Sequence, residues 1–127
     1  MKFYVADTNI FLRFFLKDIP HQARETKQYL QSAKEQKIRI TVHTVTFFEV
    51  DFALEKEYRF AKAQAIKYLK SILSMSYLQI PERKLLLAAL NLYSEKNIDF
   101  VDTFLFIYAE SVGSEVLSFD KDFKKIA

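Results

Sequence analysis

Short apolar runs alternate with longer amphipathic stretches along the chain. Phe3-Tyr4-Val5-Ala6 has the length and composition of a buried strand. Ile10 to Leu16 reads as a short helix, stopped by Lys17-Asp18-Ile19-Pro20. His21 to Gln36 is amphipathic, with Ala23, Tyr29, Leu30 and Ala33 set against many polar residues. Ile38 to Val42 is a second strand. Val45 to Tyr58 and Arg59 to Ser74 predict two helices, the second carrying Phe60, Ala63, Ile66, Leu69 and Leu73 at spacings of three and four. Tyr77 to Ile80 is a third strand, closed by Pro81. Glu82 to Lys96 is helical, with Asn97 as a C-cap. Phe100 to Ser111 is another helix, stopped near Gly113, and Glu115 to Phe119 is a fourth strand.

Strands separated by helical stretches imply right-handed crossovers and a parallel sheet covered on both faces. The expectation is therefore an α/β sandwich, and 127 residues suit one domain, 1–127. Half the residues are hydrophobic and 13 are Phe, enough for a core without staples. The absence of Cys removes disulfides, thiolate metal sites and a Cys nucleophile, and suits a reducing, cytoplasmic compartment. No apolar run approaches the ~20 residues that span a bilayer, and the first apolar segment is too short for a secretory signal. A net charge of +3 and a pI near 9.0 permit polyanion binding.

Ligands of open parallel sheets bind at the carboxyl ends of the strands. Asp7 directly follows the first strand and Asp120 the fourth. Glu49 lies early in the helix after the second strand, and Asp102 in the first turn of the helix that feeds the fourth. Four acids spread along the chain are thus expected on one rim. At ~100° per residue, Glu49 points roughly 160° from Asp51. Asp51 and Glu55 take the expected solvent face, while Val45, Phe52 and Ala53 flank Glu49. Asp102 lies beside Leu105, Phe106 and Ala109 on a helix that is apolar almost all round and so expected to be buried. A lone carboxylate there needs a partner, a proton or a metal.

Each acid also has a local reading. Glu49 follows Thr46 at the capping-box spacing, and Asp7 can cap a helix or turn, with Asn9 sharing the task. Asp102 suits the positive end of its helix, and Asp120-Lys121-Asp122 can be a solvated turn. If the acids do converge, their repulsion calls for a hard divalent cation such as Mg²⁺ or Mn²⁺, which oxygen ligands suit. Such an ion can activate water and neutralise charge on a phosphate. His21 and His43 have no nucleophile partner at a recognisable spacing and read as structural or surface residues.

Four segments carry a resemblance. Val5-Ala6-Asp7-Thr8-Asn9-Ile10-Phe11 resembles the opening motif of PIN domains, an apolar strand followed by Asp-Thr/Ser-Asn. Thr44-Val45-Thr46-Phe47-Phe48-Glu49-Val50 resembles the segment with their second acid, and Asp99-Phe100-Val101-Asp102-Thr103 the segment with their third. Ser118-Phe119-Asp120-Lys121-Asp122-Phe123 resembles the closing Thr/Ser-Phe-Asp motif. The order is right and the similarity spans nearly the whole chain, looking most like the VapC-type toxins of toxin–antitoxin modules.

This resemblance implies a PIN-like three-layer α/β/α sandwich with a central parallel sheet of four or five strands. Family members commonly continue past the closing Phe into the fifth; here Phe123 is followed by Lys124-Lys125-Ile126-Ala127. It further implies a Mg²⁺- or Mn²⁺-dependent endoribonuclease that hydrolyses RNA phosphodiester bonds, forms a homodimer and is inhibited by a cognate antitoxin. Carried over, Asp7, Glu49 and Asp102 are the main metal ligands and Asp120 completes the cluster. Asp99 is an accessory acid, Thr8, Asn9 and Ser118 orient ligands or water, and Asp122 reads as surface.

An acidic pocket repels phosphates, so cations at its rim must bring RNA in. Arg13, Lys17, Lys56, Arg59, Lys121, Lys124 and Lys125 lie in suitable segments, though ordinary solvated charge explains any one of them. Phe14, Phe15, Phe47, Phe48, Phe52 and Tyr58 serve either the core or a dimer or antitoxin interface. Two rival functions stand beside the nuclease. A PIN-like RNA-binding or scaffold module without catalysis would typically lack an acid. A metal-dependent phosphatase of the haloacid-dehalogenase type would want a second Asp where Asn9 stands.

Overall fold

The computed structural model describes residues 1–126. The described residues form an α/β fold of six α-helices and a parallel sheet, divided into two compact units, Met1–Pro81 and Glu82–Ala127.

In the first unit, β1 (Lys2–Val5) pairs in parallel with β2 (Ile38–Thr41), with Val5 opposite Thr41. Helices α1 (Thr8–Leu16) and α2 (Pro20–Lys34) make the crossover between them. Helix α1 ends at Lys17, which takes a left-handed φ of 55° and returns its N–H to the Arg13 carbonyl; Pro20 then opens α2, where a missing N–H costs nothing. Parallel pairing brings the segments after β1 and β2 out at the same sheet edge. The Ala6 N–H donates to the Thr41 carbonyl at 2.9 Å, which extends the ladder up to the residue before Asp7.

After β2 the chain enters α3 (Thr44–Phe52), which continues through a π-helical turn, Ala53–Glu57. Arg59, at φ 61°, then breaks the path, so the second expected helix starts three residues late as α4 (Lys62–Leu73). Phe11, Val42, Phe47, Val50, Leu54, Leu69 and Ile72 are fully buried, and their apolar area stabilises the unit at roughly 25 cal/mol per Å².

The second unit is a helical hairpin, α5 (Arg83–Glu95) against α6 (Phe100–Ser111), followed by a 3₁₀ turn at Lys121–Lys125. Leu86, Ala89, Leu90, Phe100, Thr103 and Phe104 are buried, and Tyr93 stacks on Phe100 with ring centroids 5.5 Å apart. The C-cap of α5 is Lys96, in an extended conformation, rather than Asn97. Gly113, at φ 69°, turns the chain away from α6 at an angle that a side chain would disfavour.

Several expectations need correction. The sheet has two strands among the described residues, not four or five. The third expected strand is one parallel bridge, Thr41 to Gln79, because Met75 and Leu78 donate to turn carbonyls and Pro81 has no N–H. Glu115 to Phe119 joins no ladder. Its end is organised locally, Ser118 Oγ accepting from the Asp120 N–H and the Asp120 carboxylate from the Asp122 N–H, and such bonds compete with strand pairing. Nor is β1 buried. Phe3 and Val5 are 65% and 70% exposed, and among the described residues β1 pairs with β2 alone. Helix α6 also leaves an exposed apolar stripe of Val101, Leu105, Tyr108 and Val112.

Candidate metal centre

Each unit holds one pair of the four expected acids. In the first, Asp7 caps α1, its carboxylate accepting the Thr8 N–H at 2.6 Å. The Thr8 hydroxyl donates to Glu49 Oε2 at 3.3 Å, across 41 residues of sequence. Packing of α1 on α3 allows that contact, and the parallel register of β1 and β2 starts both helices from the same sheet edge. Asp7 and Glu49 therefore share Thr8 as a common neighbour.

The face of α3 is the reverse of the one expected. Asp51 is buried at 8% exposure, whereas Glu49 is exposed beside Val45 and Phe52, which are 56% and 59% exposed. The stripe Phe47, Val50 and Leu54 is the face buried in the core. Thr46 lies inside α3 and not at its N-cap, which is His43, so the capping-box reading of Glu49 does not hold.

In the second unit, Asp99 is the N-cap of α6 and Asp102 lies in its first turn. Asp120 caps the closing 3₁₀ turn. One carboxylate oxygen from each of Asp102, Asp120 and Asp122 lies within 4.8 Å of the others. Partial burial raises the Asp102 pKa above the usual aspartate value, and the negative charges of Asp99, Asp120 and Asp122 raise it further. Lys125 offsets part of this crowding through a 3.0 Å ion pair with Asp122. Asp122 thus joins the cluster, although its place in a charged Asp-Lys-Asp run reads as surface. The signal available in sequence was the two-residue spacing, which lets Asp120 bond the Asp122 N–H and draw both acids into one turn.

The supporting residues divide. Ser118 holds the backbone of Asp120, Thr8 holds Glu49, and exposed Asn9 lines a cleft with Asp7. Among the expected RNA-contacting cations, Lys17, Lys56, Arg59, Lys121 and Lys124 are exposed. Arg13 is already engaged: its guanidinium donates to the Tyr58 hydroxyl at 2.8 Å and pairs with Asp18 at 3.1 Å, leaving the side chain 13% exposed. Of the aromatic residues, Phe47 is core, Phe14 and Phe15 cluster with Tyr68, and Phe52 and Tyr58 are exposed. His21 and His43 are exposed. Among the described residues no helix is long and apolar enough to cross a membrane.

An all-carboxylate donor set with a raised aspartate pKa fits a hard divalent cation, since a positive ion removes the repulsion that disfavours ionised Asp102. The PIN domain family model matches residues 4–127, and the chain belongs to that family. It is similar to the VapC ribonuclease of Aquifex aeolicus (strain VF5), at 23% identity over 123 residues, covering 96% of this chain and 90% of that protein.

Proposed function

We propose that this protein is a metal-dependent endoribonuclease that hydrolyses RNA phosphodiester bonds, the toxin of a toxin–antitoxin pair. The observation that carries the reading is the carboxylate cluster of Asp102, Asp120 and Asp122 in a chain of the PIN family. The link from Asp7 through Thr8 to Glu49 supports it. Similarity to a protein named a VapC ribonuclease supports RNA as substrate; an antitoxin partner, a homodimer and action in the cytoplasm belong to the same reading. The family match runs through both compact units, which supports residues 1–127 working as a single domain.

In this reading Asp7, Glu49, Asp102 and Asp120 bind Mg²⁺ or Mn²⁺, with Asp99 and Asp122 adding negative charge. A divalent ion so bound supplies an activated water and neutralises charge developing on the phosphate. The chain's own groups prepare that chemistry. The Thr8 N–H holds the Asp7 carboxylate and the Thr8 hydroxyl holds Glu49. Ser118 Oγ takes the Asp120 N–H and keeps the closing turn in shape. Lys17, Lys56, Arg59 and Lys121 attract the RNA backbone without reading its sequence. No histidine is needed as a base.

The test is digestion of a mixed RNA pool by purified protein with Mg²⁺, Mn²⁺ or EDTA, beside Asp7→Asn. Cutting that needs metal and is lost in the variant is the expected result. If the protein cuts nothing, while metal still raises its melting temperature, the nuclease reading fails and a binding module takes its place.

A further inference from the structure

Beside Asp7 a cavity of about 240 Å³ runs between α1 and α2. Asp7, Asn9 and Arg13 line it from α1 and its cap, and Gln22, Glu25 and Tyr29 from α2. The three α2 residues recur at spacings of three and four, so they form one stripe along that helix. We propose that this cleft is a nucleobase subsite that selects guanine next to the scissile phosphate, a proposal that rests on the ribonuclease reading above.

Size comes first. Sites for drug-sized molecules start at about 300 Å³, so this cavity suits a single planar base. Position comes next. Asp7 is both a wall of the cleft and a ligand of the proposed metal centre, so a base lodged there belongs to a nucleotide beside the phosphate under attack. Two walls are held in place. Tyr29 is 37% exposed and its ring meets Tyr4 edge-on, with centroids 5.4 Å apart, a contact that holds an aromatic ring of the kind bases stack on at the wall of the cleft. Arg13 is fixed by Asp18 and Tyr58, so that side needs little ordering when a ligand enters.

The polar groups choose the base. The Glu25 carboxylate offers two acceptor oxygens, while the Gln22 amide both donates and accepts. Guanine alone places two adjacent donors, N1–H and N2–H₂, on its pairing edge, with the O6 acceptor next to them. Glu25 matches the donor pair and the Gln22 NH₂ matches O6. Adenine, cytosine and uracil would each set a ring or carbonyl acceptor against the carboxylate, so the two would repel rather than bond.

The test sequences the RNA ends produced by the full-length protein and by Glu25→Gln from one mixed pool. Guanine should be enriched at one fixed position beside the cut, and the variant should reduce that preference by about 10-fold. Inosine lacks the N2 amino group, so replacing that guanosine should lower kcat/KM for the unsubstituted protein and have little effect on the variant. An unchanged guanine preference in Glu25→Gln overturns the subsite. A titration by ¹⁵N NMR with GMP, AMP, CMP and UMP separates this failure from failure of the ribonuclease reading. The amides of Gln22, Glu25 and Tyr29 should shift most with GMP. An equal response to all four nucleotides, or none, overturns the proposal even if RNA is cut; a GMP-selective response without cutting keeps the subsite and removes the ribonuclease reading.

Discussion

Asp102→Asn should make the metal-free protein more stable at neutral pH, and the metal-loaded protein less so. The folded-state pKa of Asp102 is raised, first by desolvation and then by Asp99, Asp120 and Asp122, so its ionised form costs stability. That cost is present above the folded pKa. It shrinks as pH falls, and it is gone below the ordinary aspartate value, where the side chain is protonated in both states. Two unit charges 4.8 Å apart repel by about 0.9 kcal/mol in water. With two such neighbours and partial solvation, relief of repulsion amounts to roughly 1–2 kcal/mol, before the Lys125 ion pair is counted. Asparagine forgoes the favourable charge in the first turn of α6, a loss of about 0.3–1 kcal/mol. The net gain is of order 0.5–1 kcal/mol, or about 2–5 °C in melting temperature for a chain of this length. Metal acts in the other direction. An ion at about 100 times its Kd stabilises the unsubstituted protein by ~2.7 kcal/mol, and the variant by less because a ligand is missing. Thermal melts of both proteins at pH 4 and 7, with EDTA and with Mn²⁺, should therefore show the rank order reversing on metal addition and the metal-free gap closing in acid. A variant that melts lower than its parent in EDTA at pH 7 would refute the reasoning, because Asp102 would then be a structural carboxylate.

Three further outcomes follow from the geometry. Asp7→Asn should keep the α1 cap and the melting temperature while cleavage falls by at least about 100-fold, whereas Asp7→Ala should lose a further ~1 kcal/mol of stability with the cap; equal melting of the two would deny the capping bond. Thr8→Val removes the hydroxyl that holds Glu49 and should weaken metal affinity about 10-fold, read by calorimetric titration, with little change in metal-free stability. Arg13→Ala should cost about 2 kcal/mol by denaturant unfolding, since it strips the partners of Tyr58 and Asp18, and the salt dependence of RNA binding should stay as it was. A shallower salt slope would show Arg13 on the RNA instead.

Residues close together in sequence made the helices readable. Periodicity at three and four marks the helix expected from Arg59, whose start moved to Lys62 because Arg59 takes a positive φ. The first two strands and the placement of Asp7 after β1 were readable for a similar reason: a short apolar run followed by an acid is a local pattern. Strand pairing is not local. Tyr77 to Ile80 and Glu115 to Phe119 have strand-like composition, yet a ladder also needs a partner edge, and turn bonds around Met75 and Asp120 claim the backbone first. Helix α3 was misjudged because apolar residues ring it. Val45, Phe47, Phe48, Val50 and Phe52 leave two plausible inner faces, and only packing against α1 and α4 decided that Glu49 faces out and Asp51 in. Tertiary structure likewise engaged Arg13 with Tyr58 and Asp18 and added Asp122 to the acidic cluster. Residue types and their order determined which chemistry is available. Which side chains share that chemistry depends on contacts between residues far apart in the chain, such as Thr8 with Glu49, and those exist only once the core has chosen its faces.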